Sequence, residues 1–268
     1  MFADSHCHLH FLDLSKMGVN LSDIIKNALD NRVTDLLSVA THPNQYATLL
    51  KITEEFSMVK MSIGLHPEHA IDLHNNPNMM ENLLQLAADP HVVAIGEIGL
   101  DYYHNNNTDA EDVVIHNKLQ QASFIEQINI AKIVQKPLIV HTRMAKTDTI
   151  NILINEQANQ VSGVMHCFTE NWDMAKKALD LGFYISFSGI ITFNNKVEDL
   201  LEVVKKSPLE RILIETDSPY LAPVPFRGKI NQPCYVPYIA RKIADIKHIS
   251  IEEVAEATCL NYKTLFKL

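Results

Sequence analysis

Short apolar runs alternate along this chain with longer stretches in which apolar residues recur every third or fourth position. Eight runs predict β-strands, at Met1–Asp4, Leu36–Ala40, Val59–Gly64, Val92–Ile98, Leu138–His141, Val161–His166, Phe183–Phe187 and Ile212–Glu215. The runs in the second half are nearly continuous, which is typical of parallel strands covered on both faces. The pattern therefore predicts an α/β protein with a parallel sheet.

The stretches between the runs have helical periodicity. Helices are predicted at Leu21–Asn31, Pro43–Phe56, Met79–Ala88, His116–Gln135, Ala145–Asn155, Trp172–Leu179, Val197–Lys205 and Val236–Ile246. Because strand and helix alternate without a linker or a repeat, we predict one domain over residues 1–268, a TIM barrel of the (β/α)8 type. A doubly wound open sheet is the alternative, because the order of elements does not establish closure.

Composition narrows the classes of function. The chain is 47% hydrophobic and 21% charged, an ordinary globular balance, with a formal net charge of −9. This charge excludes a broad positive field that attracts nucleic acid from a distance, so a polynucleotide substrate must be held locally. The cysteines are widely spaced, and we find neither a leader sequence nor a membrane segment, so we expect a cytoplasmic protein.

Two histidines flank Cys7 just after the first predicted strand. Because side chains alternate between the two faces of a strand, His6 and His8 are predicted to share one face. Cys7 and Cys167, which each adjoin a histidine, are expected to point away from it as buried thiols. Two imidazoles on one face indicate a metal site.

More potential ligands follow the ends of other predicted strands, namely Glu97, His141, His166 and Asp217. In a β/α barrel the carboxyl ends of all strands lie at one mouth, where these side chains can meet the first two histidines. Four imidazoles and two carboxylates suffice for one or two divalent ions, with Mg, Mn and Zn as the candidates. The sequence thus predicts a metal centre at this mouth.

Six motifs occur in order along the chain: Asp-Ser-His-Cys-His-Leu, Gly-Leu-His-Pro-Glu, Gly-Glu-Ile-Gly-Leu-Asp-Tyr-Tyr, Val-His-Thr-Arg-Met-Ala, Val-Met-His-Cys-Phe-Thr and Ile-Glu-Thr-Asp-Ser-Pro-Tyr-Leu. Together they resemble the motifs of the TatD family over nearly the whole chain. The resemblance implies a TIM barrel related to the amidohydrolase superfamily. It also implies a 3′ to 5′ exodeoxyribonuclease that acts on single-stranded or frayed DNA ends in DNA repair, with no membrane and no obligate protein partner.

The resemblance also implies roles for individual residues. The family's metal ligands fall on His6, His8, Glu97, His141, His166 and Asp217, and Glu97 is expected to bridge two ions. Glu170 stands where the family usually has glycine, and Ile230 stands where a basic residue is common. These two departures reduce the number of phosphate contacts that we expect.

Further residues are predicted to act on the substrate. Asp217 is expected to accept a proton from the attacking water, and His66 to contact the phosphate or protonate the leaving oxygen. Arg143 and Arg227 are predicted to orient phosphate, and Tyr102 and Tyr103 to stack on a base. The alternatives are a loop cap for His66, solvated ion pairs for the arginines and simple packing for Tyr102.

Two other functions are compatible with these residues. The same ligands serve metal-dependent hydrolysis of an amide, a lactone or an aminoacyl ester in a small molecule. A catalytically inert metal-binding protein is the other alternative, and the intact set of potential ligands argues against it.

Overall fold

Eight parallel strands form the sheet of the protein in a computed structural model that describes residues 1–103, 110–193 and 197–268. The strands are β1 Phe2–Cys7, β2 Val33–Ser38, β3 Val59–Ile63, β4 Val92–Asp101, β5 Leu138–Arg143, β6 Gly163–Met165, β7 Tyr184–Phe187 and β8 Ile212–Ile214. Each strand pairs in parallel with the next in chain order. This order is that of a TIM barrel and confirms the predicted fold class.

Backbone hydrogen bonds connect the last strand to the first. The Asp217 N–H donates to the His6 carbonyl at 2.9 Å, and the His8 N–H donates to the Ser218 carbonyl at 2.7 Å. The sheet is therefore a nearly closed barrel, and the doubly wound alternative is excluded.

Helices cover the outer face of the barrel. They are α1 Leu14–Met17, α2 Leu21–Asp30, α3 Tyr46–Glu55, α4 Asp72–Asn75, α5 Met79–Ala87, α6 Ala110–Val134, α7 Lys146–Asn155, α8 Trp172–Asp180, α9 Glu198–Lys206, α10 Val236–Lys247 and α11 Ile251–Phe266. The predicted helices agree with seven of the long ones to within a few residues, and α6 begins six residues earlier than predicted. Among the described residues, no helix combines the length and the hydropathy needed to cross a membrane.

The last helix, α11, is the main element that the sequence analysis missed. Its start carries a usable signal, because Ser250 and Glu253 form a capping box with reciprocal side-chain to backbone hydrogen bonds. Tyr262, Leu265 and Phe266 of α11 pack in one cluster with residues from seven strands, among them Ala3, Leu37, Ala94, Ile139, Val164, Tyr184 and Leu213. The helix therefore covers the amino-end mouth of the barrel and completes its apolar interior.

The barrel interior becomes polar toward the carboxyl ends of the strands. Ser5 Oγ lies 3.2 Å from Ser186 Oγ, and Ser186 Oγ donates to Glu215 Oε2 at 2.6 Å. All three side chains are buried. Because buried polar groups are stable only when they are hydrogen-bonded, this layer marks the boundary between the packed core and the chemical end of the barrel.

Candidate metal centre at the carboxyl ends of the strands

Glu97 lies at the centre of a buried cluster of nitrogen and oxygen donors. It sits in a bulge, since the three-residue step from Ile95 to Ile98 on β4 faces a two-residue step from Leu138 to Val140 on β5. A bulge redirects side chains locally, and bulges are common next to active sites. The Glu97 carboxylate consequently points among histidines that come from the ends of four other strands.

Glu97 Oε2 faces the two histidines of β1. His6 Nε2 lies 3.3 Å from this oxygen and His8 Nε2 lies 3.7 Å from it. The two ring nitrogens are 3.2 Å apart. Asp217 completes the group, with Oδ1 at 3.7 Å from His6 Nε2 and 3.5 Å from His8 Nε2.

Glu97 Oε1 faces a second group of histidines. His141 Nδ1 lies 2.9 Å from this oxygen, His166 Nε2 lies 3.0 Å from it, and His66 Nε2 lies 3.4 Å from it. The two oxygens of one carboxylate therefore serve two separate groups of donors, which is the arrangement required of a bridging ligand.

Oxygen acceptors behind three of the rings determine which nitrogen faces the centre. The contacts join His8 Nδ1 to the Val39 carbonyl at 2.8 Å, His141 Nε2 to Asp101 Oδ2 at 3.2 Å, and His166 Nδ1 to Glu215 Oε1 at 3.0 Å. A nitrogen that donates to such an oxygen leaves the opposite nitrogen with its lone pair directed inward. This is the support that histidine ligands of metals usually have.

The spacing of the donors fits a divalent ion. Two ligands that each lie about 2.1 Å from a tetrahedral ion are about 3.4 Å apart, and the three donors on the Oε2 side, His6, His8 and Asp217, are 3.2 to 3.7 Å apart. Imidazole and carboxylate suit zinc or manganese, and carboxylate also suits magnesium. The described residues contain three groups that could hold an ion: His6 with His8 and Glu97, His66 with Glu97 and His141, and His6 with His166 and Glu215.

The ionisation of Glu97 suits it to bind a cation, whereas His166 must lose its proton before it can act as a ligand. Burial alone would raise the pKa of the Glu97 carboxyl, but the charge of His166 and the hydrogen bonds from His141 and His166 hold that pKa well below its usual range. Burial likewise disfavours the charged form of His166, yet the carboxylates of Glu97 and Glu215 raise its pKa well above the usual value. Glu97 is therefore ionised at neutral pH, as a bridging ligand must be.

Two glycines of β4 allow the central contact to form. A Cβ at Gly96 would lie 2.5 Å from Ile139 Cβ, and a Cβ at Gly99 would lie 2.0 Å from the His141 carbonyl oxygen. Gly99 also has a φ of +133°, which L-residues rarely adopt. Only glycine lets β4 approach β5 this closely, and the approach is what brings Glu97 within reach of His141.

The cluster forms the floor of a cavity of about 630 Å³ at the carboxyl mouth. Its lining contains Glu97, Asp217 and four histidines of the cluster, together with residues of the surrounding loops such as Thr41, Glu68, Thr169 and Leu221. The volume lies within the range of about 300 to 1,000 Å³ that is usual for pockets that bind small ligands. The donors are thus accessible to a substrate.

Comparison with known proteins agrees with this geometry. The family model of the TatD-related DNases matches residues 3–267. The chain belongs to this family. It is 44% identical over 265 residues to YcfH of Escherichia coli K12, an uncharacterized metal-dependent hydrolase, with 99% of this chain and 95% of YcfH covered. It is 37% identical over 268 residues to YabD of Bacillus subtilis, also a metal-dependent hydrolase, with both chains covered completely.

A solved structure shows the same fold at full length. The crystal structure of YJJV, a TatD homologue from Escherichia coli K12, superposes with a TM-score of 0.86 at 27% identity. The match covers 100% of this chain and 98% of that one. This TatD-family protein is therefore a metal-dependent hydrolase on a TIM barrel.

The structure brings one of the two predicted phosphate-binding arginines to the cavity. Arg143 lines it, with its guanidinium 3.7 Å from the centroid of the Tyr103 ring and Nη1 3.9 Å from Asp101 Oδ2. Arg227 is not in the cavity lining, and its guanidinium lies 3.7 Å from the centroid of the Phe193 ring. Arg143 alone of the pair is placed to contact a bound substrate.

Tyr102 is likewise outside the cavity lining. Its hydroxyl donates to Asp148 Oδ2 at 2.9 Å and accepts from Gln121 Nε2 at 2.8 Å. These contacts, between the loop after β4 and helices α6 and α7, point to a packing role for the ring. The exposed neighbour Tyr103 is the aromatic residue that contacts Arg143.

The two cysteines beside the histidines differ in their position relative to the cavity. Cys7 is buried, and its Sγ donates to the Leu37 carbonyl at 3.3 Å, on the side away from the cluster as predicted. For Cys167 the prediction is wrong, because this residue lines the cavity. It lies two residues beyond the end of β6 and has a φ of +42°. Strand alternation does not apply to such a turn, so it could not predict the direction of the side chain.

Sequence reasoning did not assign the two carboxylates that support the histidines. Asp101, at the end of β4, contacts His141, and Glu215, just after β8, contacts His166 and accepts from the Cys167 N–H at 2.7 Å. Both carboxylates lie within motifs quoted above, Gly-Leu-Asp and Ile-Glu-Thr-Asp, so their type and place were visible. Which histidine each would contact depends on the bulges and on strand neighbourhood, which a single sequence does not show.

Proposed function

We propose that this TatD-family hydrolase is a 3′ to 5′ exodeoxyribonuclease that acts on single-stranded or frayed DNA ends. The observation that carries the proposal is Glu97, whose two carboxylate oxygens face two separate groups of metal donors in one buried cluster. Two ions held on opposite sides of one carboxylate are the usual arrangement for hydrolysis of phosphodiesters. The description of the family as DNases supports DNA as the substrate.

His6, His8 and Asp217 would hold one ion and His141 and His166 the other, with Glu97 between them. Divalent ions at such a site lower the pKa of bound water to about 7 and neutralise charge on phosphoryl oxygens. Hydrogen bonding from His8 and the charge of His6 outweigh burial and lower the pKa of Asp217. Asp217 is therefore ionised at neutral pH and can accept the proton of the attacking water.

His66 supplies a donor that faces the reaction. Its Nδ1 accepts from the Glu68 N–H at 3.2 Å, and burial lowers the pKa of the ring. A neutral ring whose Nδ1 accepts a hydrogen bond carries its proton on Nε2. That N–H points toward Glu97 and the cavity, where it can donate to a phosphoryl oxygen or to the leaving oxygen.

The size and charge of the cavity favour a strand end as the substrate. A volume of about 630 Å³ suits the end of one strand and not a long stretch of polynucleotide. Arg143 is the only arginine or lysine among the described residues that line the cavity. With a net charge of −9, the protein would hold DNA through the ions and this guanidinium and not through a wide basic surface. The free cysteines support a reducing compartment, for which the cytoplasm and a role in DNA repair are our proposal.

A matrix of metals and substrates tests the proposal. The protein is treated with a chelator, Mg²⁺, Mn²⁺ or Zn²⁺ is restored, and single-stranded oligonucleotides labelled at the 5′ or the 3′ end are followed on denaturing gels. We expect a ladder of 5′-labelled products that shortens one nucleotide at a time, with no products after chelation. Asp217→Asn should abolish the ladder while the far-UV circular dichroism is retained. Endonucleolytic products, or no DNA hydrolysis with any metal, would contradict the proposal.

A second candidate is hydrolysis of an ester or amide in a small molecule. The observation that favours it is the scarcity of positive charge in the cavity, where Arg143 is the only arginine or lysine among the described lining residues and Glu68 adds a further carboxylate. Adding phosphodiester, carboxylic ester and amide substrates to the same matrix separates the two candidates.

A further inference from the structure

The mouth of the cavity has an aromatic side. Phe11, in the turn after β1, and Tyr220, in the loop after β8, both line the cavity. The Phe11 residue is 38% exposed and Tyr220 is 55% exposed. Since β8 joins β1 where the barrel closes, the two rings stand on the same side of the mouth.

Both rings lie beside the donors on the Oε2 side of Glu97. The ring centroids of Phe11 and His8 are 5.3 Å apart, and those of Tyr220 and His8 are 6.4 Å apart. Ile190 and Leu221 add apolar surface to the same cavity lining. Large exposed rings within a few ångströms of a catalytic centre are unfavourable in water and become favourable when a flat ligand covers them.

Arg143 stands on the opposite side of the cavity. Arg143 ends β5, which in an eight-stranded barrel lies across from β1, and its guanidinium is exposed at the mouth. The candidate ion sites lie between Arg143 and the two aromatic rings. A DNA strand that crosses this mouth therefore meets a stacking surface on one side of the scissile bond and a phosphate-binding guanidinium on the other.

We propose that Phe11 and Tyr220 form a stacking subsite for the unpaired base of the terminal nucleotide, while Arg143 binds a phosphate of the strand on the other side of the scissile bond. The proposal rests on the proposed nuclease function and adds to it the position of the strand. Because every base has a flat π-face, the subsite accepts all four bases with little preference. Because a base must be unpaired to reach the rings, the subsite selects single-stranded or frayed ends.

The test uses oligonucleotides that differ only at the 3′-terminal nucleotide. One has a normal base, one has an abasic tetrahydrofuran unit, and one has 2-aminopurine behind a phosphorothioate linkage that slows cleavage. Initial rates and 2-aminopurine fluorescence are measured with the Mg²⁺-loaded protein. The variants are Phe11→Leu and Tyr220→Leu, with Tyr220→Phe as the variant that keeps the ring. Tyr238→Leu removes a partly exposed tyrosine on α10 outside the cavity lining and serves as the control.

We expect the wild-type protein to quench 2-aminopurine and to prefer the normal terminal base over the abasic unit by about 5- to 150-fold in kcat/KM, the range of one stacked base. The two leucine variants should lose the quenching and bring the preference close to unity, mainly through KM. Tyr220→Phe keeps the ring and should retain the quenching and the preference for a normal base, and Tyr238→Leu should behave as the wild type.

The outcomes separate the subsite from the nuclease function. Cleavage with an unchanged base preference in both leucine variants overturns the subsite and leaves the nuclease function standing. Quenching that depends on Phe11 and Tyr220 without cleavage supports the subsite and overturns the nuclease function. Neither quenching nor cleavage by the wild-type protein overturns both.

Discussion

The two mouths of this barrel are made by the same eight strands and have opposite chemistry. At the carboxyl mouth, buried donors such as His6, Glu97 and His166 form a cluster at the floor of a cavity that opens to solvent. At the amino mouth, Tyr262, Leu265 and Phe266 of α11 cover an apolar interior. The strands alone do not explain the difference, because it arises from the bulges and loops at one end and from a single helix at the other.

This comparison implies that one mouth stabilises the fold and the other binds metal. Burying apolar side chains stabilises the fold, whereas gathering histidines and carboxylates in a buried site opposes folding unless ligands or partners compensate. Substitutions at the carboxyl mouth should therefore change metal binding and activity, and substitutions at the amino mouth should change stability. The experiments below test that separation.

The largest effect is expected for Glu97→Gln, which removes the charge shared by both groups of donors. We expect kcat/KM to fall by at least about a thousand-fold, or about 4 kcal/mol in activation free energy. Steady-state rates with saturating metal provide the measurement, with Glu55→Gln at the exposed end of α3 as the matched control. Activity within ten-fold of the wild type would show that Glu97 does not bridge the donors.

At the amino mouth, Phe266→Ala should lower the free energy of unfolding by about 3 to 5 kcal/mol, because the ring is 3% exposed and its removal leaves a cavity. The kcat of the protein that remains folded should not change. Urea denaturation measures the first quantity, and rates normalised to folded protein measure the second. A loss of kcat in folded protein would mean that the two mouths are coupled.

Asp101→Asn is expected to have a smaller effect, because Asp101 contacts His141 and not the proposed ions. Metal affinity should fall by about 10- to 100-fold, as is usual when the partner of a histidine ligand is altered. Calorimetric titration with Mn²⁺ measures the affinity, and Asp148→Asn, which alters the partner of Tyr102, is the control. Equal affinities of Asp101→Asn and the wild type would indicate that His141 is oriented without its carboxylate.

The smallest effect is expected for Tyr262→Phe. The Tyr262 hydroxyl is buried and has no hydrogen-bond partner among the residues that the structure describes. Removing an unsatisfied polar group should leave the free energy of unfolding unchanged or raise it by about 1 kcal/mol. A decrease of that size in thermal or urea unfolding would reveal a partner for the hydroxyl, such as a buried water.

The comparison of the mouths also explains which features were predictable. Strand and helix order predicted the barrel, because apolar runs and helical periodicity are local properties of the chain. The gathering of His6, Glu97 and His166 at one mouth followed from parallel strands that end together. The strand-end rule gave no distances. Strand alternation failed for Cys167, because this residue lies beyond the regular strand and has a φ of +42°.

Other features depend on contacts distant in the chain. The bulge that directs Glu97 between two groups of donors forms only when β4 pairs with β5. The contacts of Tyr102 with Asp148 and of Arg227 with Phe193 likewise draw both side chains into loop and helix packing. Nothing in the local sequence distinguishes these side chains from Arg143, which reaches the cavity.

The central claim is that Glu97 bridges two groups of metal donors, and anomalous diffraction from crystals grown with Mn²⁺ tests it most directly. We expect one anomalous peak among His6, His8, Asp217 and Glu97 Oε2, and a second among His141, His166 and Glu97 Oε1. Ions bound elsewhere, or the absence of any peak within coordination distance of Glu97, would contradict it.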